Sequence, residues 1–146
     1  MLKSARTSET VDHLVATRLK RQEILERENP PHVVAIFDEG AVRRPIGAPD
    51  VLKGQIQHLI DLSDLHHVTV QIVRTAKGAY AGLPGAFMLL SSRNDRDVVH
   101  VEGHIGAQII DHPDAVRKYG IRFDLIRASA MSAEDSVTLL RTILES

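Results

Sequence analysis

Cysteine and tryptophan are absent from this sequence, and only 3% of its residues are aromatic. Without cysteine the chain forms no disulfide, binds no metal through thiolates and has no cysteine nucleophile. With so few aromatic rings, we expect neither a base-stacking platform for single-stranded nucleic acid nor an aromatic cage for a cationic ligand. These absences remove several common classes of catalytic and binding site.

The chain also lacks an excess of either charge and a long apolar run. Its 18 lysines and arginines nearly balance 19 aspartates and glutamates, which gives a formal net charge of −1. A dedicated nucleic-acid binder needs a concentrated excess of basic residues, so this balance argues against that class. No apolar run approaches the roughly 20 residues that span a bilayer, and the N-terminus lacks the apolar segment of a signal peptide. We therefore expect a cytoplasmic protein that forms a single domain over residues 1–146.

Helical and strand patterns alternate along the chain. An apolar stripe after Ser8 predicts a first helix that ends at Asn29-Pro30-Pro31, and Pro49 and Pro113 each begin a further helix. Ser132 is placed to cap a last one. Apolar runs predict strands at residues 33–37, 68–73, 86–90, 98–102 and 105–110, the first of them buried on both faces. We predict an α+β fold: one small sheet of about four to five strands with helices packed against it and a C-terminal helical pair.

The sharpest chemical pattern is His100-x-Glu102-x-His104. If one strand ran through all three residues, their side chains would share a face. Imidazole and carboxylate together suit zinc or iron. A strand that ends at Gly103 breaks this shared direction, and we therefore predict no metal site. The sequence has no cofactor motif, and we expect no bound cofactor.

Residues 78–85 form a glycine-rich loop between two predicted strands. A phosphate-binding loop leads from a strand into a helix and carries Gly-Lys-Ser/Thr, which this loop does not do. The principal interpretation is a long hairpin connection. The alternative is a lid over a ligand, with Tyr80 as a contact residue, because long loops on rigid sheets often carry binding.

The densest cluster of charge consists of Asp38, Glu39, Arg43 and Arg44. Glu39 and Arg43 are spaced for an ion pair along one face of a helix. The first interpretation is a solvated structural cluster. The functional alternative is a site that recognises a carboxylate or a phosphate, since arginine binds both in a bidentate way.

Three segments resemble a known family in their order and spacing. They are residues 34–47 (VAIFDEGAVRRPIG), 68–87 (VTVQIVRTAKGAYAGLPGAF) and 98–103 (VVHVEG). The chain resembles, over nearly its whole length, the actinobacterial regulatory domain that follows the helix-turn-helix of XRE-type transcription regulators. That domain is described as of unknown function and as antitoxin-like. The matching motif residues are Asp38, Glu39, Arg43, Arg44, Pro45, Gly78, Ala79, Gly82, Gly85, Phe87, Glu102 and Gly103.

The resemblance implies a regulatory domain that binds a small-molecule effector or a small partner protein, here without its DNA-binding half. Binding would shift a conformational equilibrium and so alter the DNA affinity of an attached helix-turn-helix, the only route to DNA. A homodimer is compatible with this role, because helix-turn-helix proteins read two half-sites as dimers. No membrane is involved. The candidate ligand-binding residues are Glu39, Arg43, Arg44, Tyr80 and Glu102.

Two other hypotheses stay open at this point. One is a freestanding small enzyme recruited from this domain for biosynthetic chemistry, with Glu39, Tyr80 and Glu102 as its acid–base groups. The other is a dimerisation scaffold in which the helices predicted at residues 116–130 and 137–144 form a symmetric contact.

Overall fold

The computed structural model describes residues 8–146, which divide into two compact units with the boundary after Val33. The first unit holds helix α1, Ser8–Gln22, and a 3-10 turn at Glu23–Glu26. The predicted first helix is therefore confirmed, and it ends before Asn29-Pro30-Pro31, where proline cannot continue a helix. The predicted capping bond of the Ser8 side chain lies outside the part of the chain whose side chains are described.

The second unit, from residue 34 onward, contains the remaining elements. In chain order these are β1 (Val33–Asp38, whose first residue precedes the boundary), α2 (Glu39–Arg43), α3 (Pro49–Ser63), β2 (Val68–Val73), β3 (Met88–Leu90), β4 (Val98–Glu102), β5 (Ala107–Ile110), α4 (Pro113–Ser129) and α5 (Ala133–Glu145). The predicted α+β class is confirmed, and so is the C-terminal helical pair. Ser132 caps α5 as predicted, because its hydroxyl accepts a hydrogen bond from the Asp135 amide at 3.0 Å.

The strands described in residues 8–146 form two sheets. Strands β1 and β2 are a parallel pair, joined by a crossover that contains α2 and α3. Strands β3, β4 and β5 form an antiparallel meander with β4 in the centre. Its register pairs Leu89 with Val99 and Val99 with Ile110. The predicted strands are thus present, but they are divided between two sheets.

The backbone of Ile72 explains this division. Its N–H donates to the Ser136 hydroxyl at 3.0 Å, and its carbonyl accepts from the Met131 amide at 2.9 Å. Both backbone groups of a strand residue point to the same edge. The junction between α4 and α5 therefore covers the edge of β2 on which β3 would have to pair. The prediction that residues 78–85 connect a hairpin is wrong for this reason.

The core of the second unit lies where α3 and α5 pack on β2. Ile56 of α3, Ile72 of β2 and Leu140 of α5 are almost completely buried. Helix α4 contacts both β2 and β4, so it joins the core to the meander.

The prediction that the first strand is buried on both faces is wrong, because every residue of β1 is only half-buried. With a strand on one side only, β1 is an edge of its sheet.

Within residues 8–146, no helix combines the length and the apolar character needed to cross a bilayer.

Replacing Ser136 with alanine tests the covered edge of β2. The buried Ile72 amide would lose its acceptor, and we expect the free energy of unfolding to fall by about 1–3 kcal/mol. Thr138→Ala is the control, because Thr138 is exposed on the same helix and, among the described residues 8–146, its hydroxyl bonds only to the Glu134 carbonyl at 3.2 Å. Urea denaturation of both variants makes the comparison. An equal fall in the free energy of unfolding for both variants would show that the Ser136 hydroxyl does not stabilise the edge of β2.

Two glycines test how the backbone conformation sets stability. A Cβ built at Gly54, within α3, or at Gly78 meets nothing within 4 Å, but Gly78 has a φ of +73°. We expect Gly54→Ala to raise the free energy of unfolding by about 1 kcal/mol, because alanine is the better helix former. Gly78→Ala should lower it by about 1 kcal/mol, because a side chain strains that conformation. Thermal or urea denaturation gives the sign of each change in the free energy of unfolding. If both substitutions changed it in the same direction, backbone conformation would not explain the effects.

Candidate functional site

Polar side chains meet where β1 and β2 end. Asp38 is the last residue of β1 and Glu39 the first of α2, while Arg74 and Thr75 follow β2 directly. The carboxyl ends of parallel strands lie at the same edge of a sheet, and in α/β folds this edge is where ligands commonly bind. We call Asp38, Glu39, Arg43, Arg74 and Tyr80 the edge cluster.

Asp38 uses its two carboxylate oxygens for different elements. Oδ1 accepts from the Gly40 amide at 2.8 Å and so caps α2, while Oδ2 accepts from the Tyr80 hydroxyl at 3.0 Å. A capping carboxylate also interacts favourably with the positive end of the helix. One side chain therefore fixes the start of α2 and holds the glycine-rich loop in place.

Glu39 is held by the segment after β2 as well as by its own helix. It is buried, with Oε2 accepting from Arg43 Nε at 2.6 Å and Oε1 from the Thr75 amide at 3.1 Å. The Arg74 Nε lies 3.6 Å from Oε1. The hydrogen bond from Arg43 does most to lower the pKa of Glu39; the Thr75 amide and the two arginine charges act in the same direction, against the burial that raises it. Glu39 is therefore a fixed anion at neutral pH.

Tyr80 lies under a turn of its own loop. Gly82 approaches its ring so closely that a Cβ at position 82 would collide with Tyr80 Cε2, so any larger residue there would have to displace the ring. Burial raises the pKa of the Tyr80 hydroxyl, and the Asp38 carboxylate raises it further. The hydroxyl consequently stays protonated and donates to Asp38.

A shallow groove of about 330 Å³ runs between this loop and α4. Its lining, which we call the α4 groove, consists of Tyr80, Ala81, Pro84, Lys118, Ile121, Arg122 and Leu125. The Phe87 and Tyr119 rings meet edge to face with centroids 5.0 Å apart, which fixes the end of the loop on α4. Tyr80 belongs to both the groove and the edge cluster.

The structure brings together three of the five predicted ligand contacts. Glu39 and Arg43 are paired, and Tyr80 joins them through Asp38. Arg44 is exposed, and its side chain makes no hydrogen bond or ion pair within residues 8–146. Glu102 is exposed at the end of β4, where it pairs with Ala107 of β5 in the three-stranded sheet, not in the sheet that carries the edge cluster. Whether these residues bind a ligand stays a prediction.

The pattern His100-x-Glu102-x-His104 does not share one strand face. Strand β4 ends at Glu102, and the Gly103 amide then donates to the Gly106 carbonyl at 2.9 Å in a tight turn. His104 therefore lies outside the strand. In the described chain, residues 8–146, no three residues among His, Cys, Asp and Glu are grouped to hold a metal ion.

Sequence reasoning missed the α4 groove and the contact of Glu39 with the Thr75 amide. A signal for the groove was present: Ile121 and Leu125 are four residues apart. They lie off the helical apolar stripe formed by Val116, Tyr119, Phe123, Ile126 and Ala130. No local signal exists for the Thr75 contact, because it joins a side chain to a backbone amide 36 positions along the chain.

The charge on Glu39 makes stability depend on pH. Its pKa in the folded protein lies below the ordinary 4.5, so its stabilising effect is complete above that value and is lost as the pH falls through the folded pKa. We expect the difference in free energy of unfolding between wild type and Glu39→Gln to be largest at neutral pH and to shrink in acid.

Urea denaturation at a series of pH values measures this difference. Glu102→Gln is the matched control, since no cation within residues 8–146 pairs with that exposed carboxylate. A wild-type minus Glu39→Gln difference that stays constant from neutral to acid pH would show that the ion pair is not what stabilises this edge.

The sequence matches a family along nearly its whole length. The family model is described as a domain of unknown function, DUF5753, and it matches residues 1–142. No curated protein matches the chain, and no solved structure does. The expectation of a domain of unknown function is thereby confirmed, and the edge cluster and the α4 groove both fall inside the matched residues. This chain belongs to the DUF5753 family.

Proposed function

We propose that this chain is the ligand- or partner-sensing regulatory domain of an XRE-family helix-turn-helix transcriptional regulator that works in the cytoplasm. The resemblance of residues 34–47, 68–87 and 98–103 to such domains suggests the class. One structural observation supports a sensing role: the Tyr80 ring lines the α4 groove while its hydroxyl bonds to Asp38 in the edge cluster.

A sensor needs a binding surface that is coupled to an element with two arrangements. An occupant of the α4 groove would contact the Tyr80 ring directly. Displacing that ring breaks the hydrogen bond to Asp38, and Asp38 is also the cap of the five-residue helix α2. So short a helix depends on its cap and its ion pair more than on its length. Occupancy of the groove is thus coupled to the order of α2.

The electrostatics of the edge cluster favour a structural role over acid–base catalysis. A glutamate that works as a general base near neutral pH needs a raised pKa, and a catalytic tyrosine needs a lowered one. The pKa of Glu39 is instead lowered and that of Tyr80 raised. Both oxygens of Glu39 and both of Asp38 already accept hydrogen bonds from the protein. The cluster is built to hold elements together.

A reporter measures the proposed coupling. The chain is fused behind an XRE-type helix-turn-helix domain, and repression from that domain's operator is recorded in cells. Tyr80→Phe keeps the ring in the groove and removes the bond to Asp38. We expect it to change repression by about fivefold or more, the lower range of allosteric coupling.

Tyr119→Phe is the matched control. Tyr119 is half-buried like Tyr80, but its hydroxyl makes no hydrogen bond within residues 8–146. We expect this variant to repress like the wild type, and melting curves of the purified chains exclude unfolding as a cause. Equal repression by all three proteins would count against a sensing role for Tyr80.

A further inference from the structure

Two kinds of side chain are interleaved on the face of α4 that lines the groove. Ile121 and Leu125 are apolar and each 55% exposed, although α4 has a separate buried residue, Ile126, on its core side. Lys118 and Arg122 are exposed cations with the same four-residue spacing, so they flank the apolar pair. This face thus combines an apolar strip with a basic border.

The basic border has no acidic partner in the described chain. Within residues 8–146, no carboxylate lies within 4.0 Å of the Lys118 or the Arg122 side-chain nitrogens. Arg122 lies over the Tyr119 ring at 5.8 Å, which orients the guanidinium without neutralising it. In the part of the chain that the structure describes, the α4 groove therefore presents two cations without an ion-pair partner beside exposed apolar surface.

The shape of the groove distinguishes between classes of ligand. Small-molecule sites are concave and enclose most of their ligand. Here the α4 residues that form the floor are all exposed, and the opposite wall is the short loop segment from Tyr80 to Pro84. An open strip along a helix is instead the surface on which an amphipathic helix docks, with anchors spaced by three or four residues.

We propose that the α4 groove binds an acidic amphipathic helix of a partner protein. Its apolar side chains pack on Ile121 and Leu125, and its carboxylates pair with Lys118 and Arg122. This inference rests on the proposed function, since it names the kind of partner that the domain senses. It also explains why Tyr80 lies at the groove wall, because a docked helix presses on the ring whose hydroxyl holds Asp38.

A displayed peptide library tests the proposal without a known partner. Randomised peptides of about 16 residues, long enough to form a helix on binding, are selected against the whole chain. We expect the selected sequences to carry apolar residues at a spacing of three or four with Asp or Glu beside them. Selection against the double variant K118E/R122E should yield Lys or Arg in place of the acidic residues.

Affinities of one selected acidic peptide give the second readout. Fluorescence anisotropy should show binding at least about tenfold weaker for K118E/R122E and for Ile121→Asp. Two controls are matched to these changes. Arg141→Glu reverses an exposed charge on α5, and Ile109→Asp alters an isoleucine that is 68% exposed on β5. Both controls should bind within about twofold of wild type.

Several outcomes would overturn the proposal. They are a failure to select any peptide, selection of basic or uncharged peptides by the wild type, and equal affinity for the groove variants and their controls. Failure of the sensing role would look different. If acidic helices bind in the groove but Tyr80→Phe leaves repression unchanged, the proposed docking site is supported and the proposed coupling between Tyr80 and repression is refuted. If Tyr80→Phe changes repression while no acidic helix binds, only the proposed docking of an acidic helix is refuted.

Discussion

The backbone of Ile72 makes two hydrogen bonds with the junction of α4 and α5. The arrangement of the second unit, from residue 34 onward, depends on them. A buried backbone amide and carbonyl must find partners, and here the Ser136 hydroxyl and the Met131 amide supply them. The neighbouring Gln71 adds bonds to the Met131 carbonyl at 2.9 Å and to Arg127 at 3.1 Å. The junction of the last two helices thereby replaces a strand beside β2. Without it, β2 would present an open edge to β3 or to another chain.

The candidate site follows from that replacement. Because β3 cannot pair with β2, the chain leaves β2 in a long loop that passes beside α4 before it enters the second sheet. Helix α4 contacts both sheets and forms the floor of the groove that this loop borders. Tyr80 bridges the groove and the end of β1 through Asp38. The position of the α4 groove beside the edge cluster therefore follows from the way the α4–α5 junction packs against β2.

The edge cluster resembles a brace more than a reaction centre. Glu39 joins α2 to the segment after β2, and Asp38 joins α2 to the glycine-rich loop. The bond from the Thr75 amide to Glu39 spans 36 positions and the bond from Tyr80 to Asp38 spans 42, so both link elements that are far apart in the sequence. The proposed sensing role depends on this arrangement, because a few contacts connect α2 with the loop that borders the groove.

The sequence by itself determined the helices α1, α3, α4 and α5, the strands and the α+β class, because apolar periodicity is a property of neighbouring residues. It also determined the Glu39–Arg43 pair, whose spacing brings the two side chains onto one face of any helix that contains them. Only the tertiary structure decided that the strands divide between two sheets, since the bond from Ile72 to Ser136 spans 64 positions. The same holds for the placement of Tyr80, because its bond to Asp38 spans 42 positions. The local sequence pattern predicts which residues are buried or paired with near neighbours. Which residues far along the chain form hydrogen bonds with each other depends on which surfaces meet when the chain packs.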